Sequence, residues 1–203
     1  PTTCAEEEEI VIASNLGGAK ALWIAEGEDE ETALRRGTQI HLLLETLPKI
    51  ATSERRRHAE TLLKNKALLE SDENIDPVVN EALSVLNASE LSFVFAPDSL
   101  AEVSISARLP IMKNRLMNGI VDRLIVTEKY VWVIDFKTNR ITPQTQHEVP
   151  LGILRQMGAY TAALSDIYPD HQVKPCILWT STPVLMQLEP EQVMKALCTM
   201  ADA

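Results

Sequence analysis

Two acids and a lysine stand at the ends of neighbouring hydrophobic segments near the middle of the chain. Asp122 follows "GIV", while Asp135 and Lys137 close the run "YVWVIDFK". Residues two positions apart on a β-strand point to the same face, so the last two side chains are expected to lie together. In isolation, an Asp–x–Lys spacing is also typical of a surface salt bridge. It indicates a catalytic site only if a further functional group lies beside it.

A β-hairpin supplies that further group. The short Thr127–Lys129 connection between two β-rich segments predicts a tight turn. With this turn, Asp122 and Asp135 become directly opposed, with Cβ atoms about 5 Å apart. Opposed carboxylates repel and are costly to desolvate, and a divalent cation between them removes the conflict. Lys137 then lies within reach of whatever the cation holds.

Two more motifs flank the hairpin. The segment "RGTQIHLLLE" contains His41, and "LRQMGAY" contains Gln156 and Tyr160. Together with "GIVDRL" and "VIDFKTNR", these motifs follow one another in an order that resembles the PD-(D/E)xK nuclease superfamily, in its RecB-like branch. The first helix is most similar to that of the nuclease domain of AddA-type helicase–nucleases.

The resemblance implies a restriction-endonuclease-like α/β core and hydrolysis of DNA with Mg²⁺ or Mn²⁺. It makes His41, Asp122 and Asp135 the metal ligands. Asp122, Asp135 and Lys137 are the expected catalytic residues, and the lysine orients the nucleophile or stabilises the transition state. An imidazole with two carboxylates suits either cation, and the nitrogen favours Mn²⁺. Glu102, at the start of a neighbouring strand, either supports the metal or is an exposed strand-end acid.

The expected DNA contacts are Gln156, Tyr160 and Arg140. Gln156 and Tyr160 are four residues apart and so share one helical face. The resemblance implies that they touch the strand near the cut, where an aromatic ring suits stacking on a base. A half-buried tyrosine beside a helical hydrogen-bond partner is the structural alternative. Arg140 follows the Asp–x–Lys motif closely enough to contact a phosphate.

Charge is distributed unevenly along the 203 residues, whose formal net charge is −10. Residues 1–31 hold nine acidic residues and one lysine, whereas the remainder holds 20 acidic and 18 basic residues. The acidity is therefore mainly a property of the N-terminal segment, either a solvated tail or a segment that docks on a neighbouring domain. The nearly neutral remainder is compatible with DNA as substrate.

Partners follow from the resemblance. A helicase motor is expected to deliver single-stranded DNA in double-strand-break repair and recombination, together with a second subunit of AddB type. The chain has no G-x-x-x-x-G-K-[ST] motif, so ATP is expected to act only through N-terminal helicase domains absent from this chain. The chain starts at Pro1 without a methionine, which indicates either a piece of a longer protein or removal of an initiator methionine before Pro1. A non-catalytic module that docks a partner or guides DNA in the same complex is the alternative.

Other classes of protein and site are disfavoured. No apolar run approaches the ~20 residues of a membrane span. The three cysteines are far apart and form no CxxC motif, so we expect no zinc site and no iron–sulfur cluster. Sparse, odd-numbered cysteines favour a reducing, cytoplasmic setting.

The elements that must position these residues can be inferred from periodicity and capping signals. Helices are predicted at 31–47, 53–69, 76–87, 151–168 and 189–200, and β-strands at 91–96, 101–109, 117–127, 130–138, 175–181 and 184–188. This order predicts a mixed β-sheet flanked by helices. Residues 1–30 are expected to be an acidic irregular segment, and residues 31–203 the nuclease domain.

Overall fold

The computed structural model describes residues 10–16, 30–66 and 74–201. Within them, the helices are α1 (Glu30–Thr46), α2 (Arg55–Asn65), α3 (Asp76–Asn87), α4 (Leu151–Ile167) and α5 (Pro190–Ala201). The strands are β1 (Val11–Ile12), β2 (Leu100–Leu109), β3 (Arg115–Val126), β4 (Tyr130–Lys137), β5 (Gln172–Trp179) and β6 (Val184–Gln187).

Strand β3 is the centre of one mixed six-stranded sheet. Strand β2 runs antiparallel along one edge of β3. Two strands pair with the other edge of β3. Strand β4 runs antiparallel to the C-terminal part of β3, and β1 runs parallel to Met117 and Asn118. Strand β5 joins β4 in parallel, and β6 closes the sheet antiparallel. The predicted mixed α/β architecture is therefore confirmed.

Helices cover both faces of the sheet and create two hydrophobic cores. Helices α4 and α5 pack on one face, where Val131 and Val133 of β4 point. Helices α1–α3 pack on the other, where Ile134 and Phe136 point. A strand covered on both faces is apolar at successive positions, which explains the nearly unbroken hydrophobic run of β4.

The hairpin has the predicted register, but its two strands diverge at the acids. Leu124 pairs with Val133 and Arg123 with Ile134, as expected for a turn after Val126. The ladder ends there, so Asp122 and Asp135 lie one step beyond the last pair. The prediction of a directly opposed pair is corrected in this respect. Beyond that point β4 continues only beside β5, and its backbone facing β3 must find other partners.

Most predicted elements are confirmed, and the differences are local. The predicted strand at 91–96 is wrong, because Ser89–Phe95 forms a 3₁₀ helix. Its buried residues Leu91 and Val94 are three apart, which is a helical spacing. Helix α2 starts later than expected, and Ser53 lies in a 3₁₀ turn without a side-chain cap; residues 67–69 of that prediction fall outside the described residues.

The N-terminal segment contributes more to the fold than the sequence indicated. Val11 and Ile12 extend the sheet edge of β3, and Ala13 and Leu16 are buried in the core on the α4 side. The expected irregular conformation is therefore corrected for these positions, since a parallel strand pairing depends on distant residues. Residues 1–9 and 17–29, including the Glu6–Glu9 run, lie outside the described part.

None of the helices within the described residues combines the length and apolarity needed to cross a bilayer.

Candidate active site

Helix α1 brings His41 to Asp122 of β3. The apolar stripe of α1 places Ile40, Leu43 and Leu44 fully in the core, and His41 lies at its edge, as predicted. The imidazole Nδ1 is 3.0 Å from Oδ1 of Asp122. The Asp122 side chain is 9% exposed and that of His41 is 32% exposed, so the imidazole remains accessible from the cleft.

The other oxygen of Asp122 stabilises the point where the strands diverge. The backbone N–H of Phe136 donates to Oδ2 of Asp122 at 2.5 Å. Because β3 no longer pairs with β4 here, this N–H would otherwise lack an acceptor. Asp122 thus replaces a ladder hydrogen bond and is held between α1 and β4. A carboxylate fixed in this way costs little reorganisation when it binds a cation.

Asp135, Lys137 and Gln156 form a second group on the α4 side of the cleft. Gln156 Nε2 donates to Oδ1 of Asp135 at 2.9 Å, and Lys137 Nζ donates to Oε1 of Gln156 at 3.0 Å. Lys137 Nζ also lies 2.6 Å from Oδ2 of Asp135. That contact is an ion pair without hydrogen-bond geometry, since this buried Oδ2 accepts no hydrogen bond within the described residues.

Tyr160 packs beneath the strand instead of facing the cleft with its ring. It is 1% exposed, and its hydroxyl donates to the carbonyl of Ile120 at 2.7 Å. A Cβ at Gly119 would lie 2.5 Å from Cε1 of Tyr160, so only glycine allows this approach. With so little ring surface available, the arrangement does not favour stacking on a base, and Tyr160 here positions β3 and Gln156. Its substrate contact stays a prediction.

Glu102 is the acid that the sequence left between two interpretations. It has φ of 51°, in the left-handed region that side-chain-bearing residues seldom adopt. Ligand atoms of Glu102, His41 and Asp122 lie within 4.8 Å of one another. The cluster thus joins the exposed Glu102 to the predicted His41 and Asp122, and the role of Asp135 as a metal ligand stays a prediction. Strain of this kind concentrates at functional sites, but a positive φ leaves no local signal in the sequence.

Burial and neighbouring charges shift the pKa values of three of these groups. Burial lowers the pKa of His41, but the Asp122 carboxylate, with Asp135 behind it, more than compensates, so the pKa is raised overall. Lys137 opposes this increase. Burial raises the pKa of Asp135, against the attraction of Lys137 and with added repulsion from Asp122. Burial and the charges of Asp122 and Glu45 raise the pKa of Glu102.

These observations fit a divalent cation. Asp122, Asp135 and His41 line one cleft, and the exposed Glu102 adjoins His41 and Asp122. The pKa values of Glu102 and Asp135 are raised, and Oδ2 of Asp135 is buried without a hydrogen bond within the described residues. Such crowding is unfavourable unless positive charge compensates it. His41, Glu102, Asp122 and Asp135 are the groups that could hold the ion, and carboxylate oxygens with one imidazole suit Mg²⁺ or Mn²⁺.

A half-buried network that the sequence did not reveal holds the segment after Lys137. Arg36 of α1 donates to the carbonyl of Thr138 at 2.6 Å and forms an ion pair with Glu81 of α3. Glu81 also accepts a hydrogen bond from the hydroxyl of Thr180. Arg36 and Glu81 are far apart in sequence, so no spacing could have indicated the pair. The network links α1, α3 and the end of β4 next to the lysine.

Most of the predicted site residues line one cleft of about 870 Å³. His41, Asp122, Asp135, Lys137, Gln156 and Tyr160 all line it. Arg140 is exposed just beyond the end of β4 and is not among the lining residues. Its phosphate contact stays a prediction.

Known structures share the fold. A protein of Eubacterium rectale whose structure is described as that of a "putative exonuclease" aligns with a TM-score of 0.55 at 9% identity. The alignment covers 86% of this chain and 65% of that chain, and at this identity it supports the fold alone. A second structure, SSO0001, has a TM-score of 0.35 at 14% identity, covers 86% of this chain and 88% of that one, and carries no argument.

Sequence comparison gives the family. No curated protein matches the chain. The family model of the PD-(D/E)XK nuclease superfamily, however, matches residues 14–195, which include His41, Asp122, Asp135 and Lys137 of the cleft. With the acid and lysine at the end of β4 and the second acid on β3, the chain belongs to the PD-(D/E)XK nuclease superfamily.

Proposed function

We propose that the chain is the metal-dependent DNA exonuclease domain of a helicase–nuclease, and that Lys137 acts at its catalytic centre beside Asp135 and Asp122. The observation that carries this proposal is that His41 and Asp122, which form a cluster with Glu102, line the same cleft as the Asp135–Lys137–Gln156 group. The nuclease family and this clustering support hydrolysis of a phosphodiester bond.

The residues of the cleft would have different roles in hydrolysis. Bound Mg²⁺ or Mn²⁺, held by the acids and His41, would supply Lewis acidity beside the scissile phosphate. Lys137, held 3.0 Å from Gln156, presents its ammonium group to the cleft and orients the attacking water or stabilises the charge that develops on the phosphate. Gln156 hydrogen-bonds to both Asp135 and Lys137 and so fixes the positions of these side chains relative to each other. The products would be a 5′-phosphate and a 3′-hydroxyl.

We further propose an AddA-like, RecB-like setting for this domain. The support is the order of the four sequence motifs, not the fold. A helicase motor in the longer protein would feed single-stranded DNA to the cleft, and a subunit of AddB type would complete a complex for double-strand-break repair. In the longer protein, ATP should therefore increase degradation of duplex DNA, whereas this chain alone should cut single strands without ATP. ATP-independent duplex degradation by the longer protein would refute the coupling.

The catalytic proposal is tested with single-stranded DNA and Mg²⁺ or Mn²⁺. Asp135→Asn and Lys137→Ala should each abolish cleavage, because one removes a charge from the ion site and the other the ammonium beside it. Asp166→Asn, a change of the same kind at an exposed position of α4, should leave cleavage unchanged.

Metal binding separates the enzyme from a non-catalytic docking module. Calorimetric titration with Mn²⁺ should detect one site in the wild-type chain, weakened in Asp122→Asn. Full cleavage by the Asp135 and Lys137 variants, or a wild-type chain that neither binds Mn²⁺ nor cuts DNA, would reject the proposal.

A further inference from the structure

An uncovered sheet face adjoins the catalytic end of the cleft. Along β3, Gly119 and Val121 face helix α4, since Gly119 lies against Tyr160 and Val121 belongs to the α4-side core. The alternating residues Asn118, Ile120 and Asp122 therefore point to the opposite face. Asp122 meets α1 there, but Ile120, about 6.6 Å away along the strand, is exposed.

Two neighbouring strands extend this surface. Ile12 of β1 is paired with Asn118, and Ser104 of β2 is paired with Ile120. The isoleucine face consists of Ile10, Ile12, Ser104, Ser106, Asn118 and Ile120, all of which line the same cleft as the catalytic groups. Its three isoleucines are 53%, 49% and 54% exposed, respectively, so the described helices do not cover them.

Charge changes sharply along the cleft. All the charged or ionisable lining groups apart from Tyr160, namely His41, Asp122, Asp135 and Lys137, lie at the catalytic end. The isoleucine face holds no charged side chain. It combines apolar surface with two hydroxyls and one amide, and Ser106 donates to Oδ1 of Asn118 at 2.7 Å. A phosphate lying on it would be desolvated without a counterion, which is costly.

We infer that the isoleucine face binds the bases of the nucleic-acid strand on one side of the cleavage point. This inference rests on the proposed function and specifies how that site selects its substrate. The isoleucine face extends the cleft from Asp122 through Ile120. A DNA strand whose scissile phosphate lies at Asp122 therefore either places its next nucleotides on this face or bends out of the cleft.

Bases suit this surface better than the sugar–phosphate backbone does. Their faces are apolar, and their edges can use serine hydroxyls, which both donate and accept hydrogen bonds and so favour no single base. In a duplex the bases are stacked and paired, so their faces are not available. The isoleucine face therefore selects single strands and places their phosphates outward, towards solvent.

The test measures binding of two labelled strands of equal length by fluorescence anisotropy. One is oligothymidylate, and the other carries abasic sites throughout. All proteins carry Lys137→Ala and are measured with Mg²⁺, so that the strands are not consumed. The test variant is Ile12→Ser with Ile120→Ser. The matched control is Ile167→Ser, which changes an isoleucine of 50% exposure at the end of α4, outside the cleft.

The chain with Ile12 and Ile120 intact should bind oligothymidylate about tenfold more tightly than the abasic strand, a difference that corresponds to burial of roughly 55 Å² of apolar surface. The double serine variant should lose that difference and bind the abasic strand as before. Ile167→Ser should change neither affinity. Thermal melts should be alike for all three, since every substituted side chain is exposed.

Equal binding of both strands by the chain with its isoleucines intact would overturn the inference and leave a protein segment as the occupant of this face. So would a double variant that weakens binding of both strands equally. These outcomes are independent of hydrolysis. If the wild-type chain cuts no DNA with Mg²⁺ or Mn²⁺, the proposed function fails, whereas base-dependent binding would still stand.

Discussion

Replacing Tyr160 by phenylalanine distinguishes a positioning role from a substrate contact. The hydroxyl is buried and donates to the carbonyl of Ile120 at 2.7 Å, on the strand edge from which β4 has diverged. Removing it leaves that carbonyl without its donor, which costs about 1–2 kcal/mol of unfolding free energy. For a chain of this size the melting temperature should fall by about 2–8 °C.

Activity should respond in a specific way. Gln156 donates to the Tyr160 hydroxyl at 3.4 Å and also holds Asp135, so loss of the hydroxyl should lower kcat a few-fold and leave KM for single-stranded DNA unchanged. Urea denaturation and steady-state cleavage measure the two effects. Tyr168→Phe, at the C-terminal end of α4 and outside this network, is the control. Unchanged stability together with a raised KM would refute the positioning role and favour direct contact with DNA.

Two further predictions concern the surroundings of the site. Glu81→Gln should lower the unfolding free energy by about 1–3 kcal/mol and reduce kcat, because the half-buried Arg36 guanidinium loses its counterion and its hydrogen bond to the Thr138 carbonyl weakens. A urea midpoint equal to that of the wild type would contradict this. Burial raises the pKa of the Cys176 thiol to about 12, whereas Cys198 is exposed. Iodoacetamide at pH 8 should therefore label Cys198 and leave Cys176 unlabelled until the chain unfolds, as measured by mass spectrometry. Equal labelling rates of the two thiols would contradict the burial of Cys176.

The sequence predicted the elements of the site better than its contacts. The hairpin register followed from the position of a short turn, and His41 lies at the edge of an apolar stripe because helical periodicity is local. The 3₁₀ helix at Ser89–Phe95 was missed because a short apolar and aromatic run has no period that separates it from a strand. Val11 and Ile12 were missed because parallel pairing depends on a partner more than a hundred residues away.

The sequence by itself determined which residues are candidates for the site and on which elements they stand, since motif spacing and hydrophobic periodicity are properties of short segments. Only the tertiary structure decided how they meet. Strand divergence freed the N–H of Phe136 for Asp122 and the carbonyl of Ile120 for Tyr160, and Glu102 joined His41 through a left-handed backbone conformation. The first two arrangements satisfy a backbone polar group with a partner from another element, and no local pattern encodes any of the three.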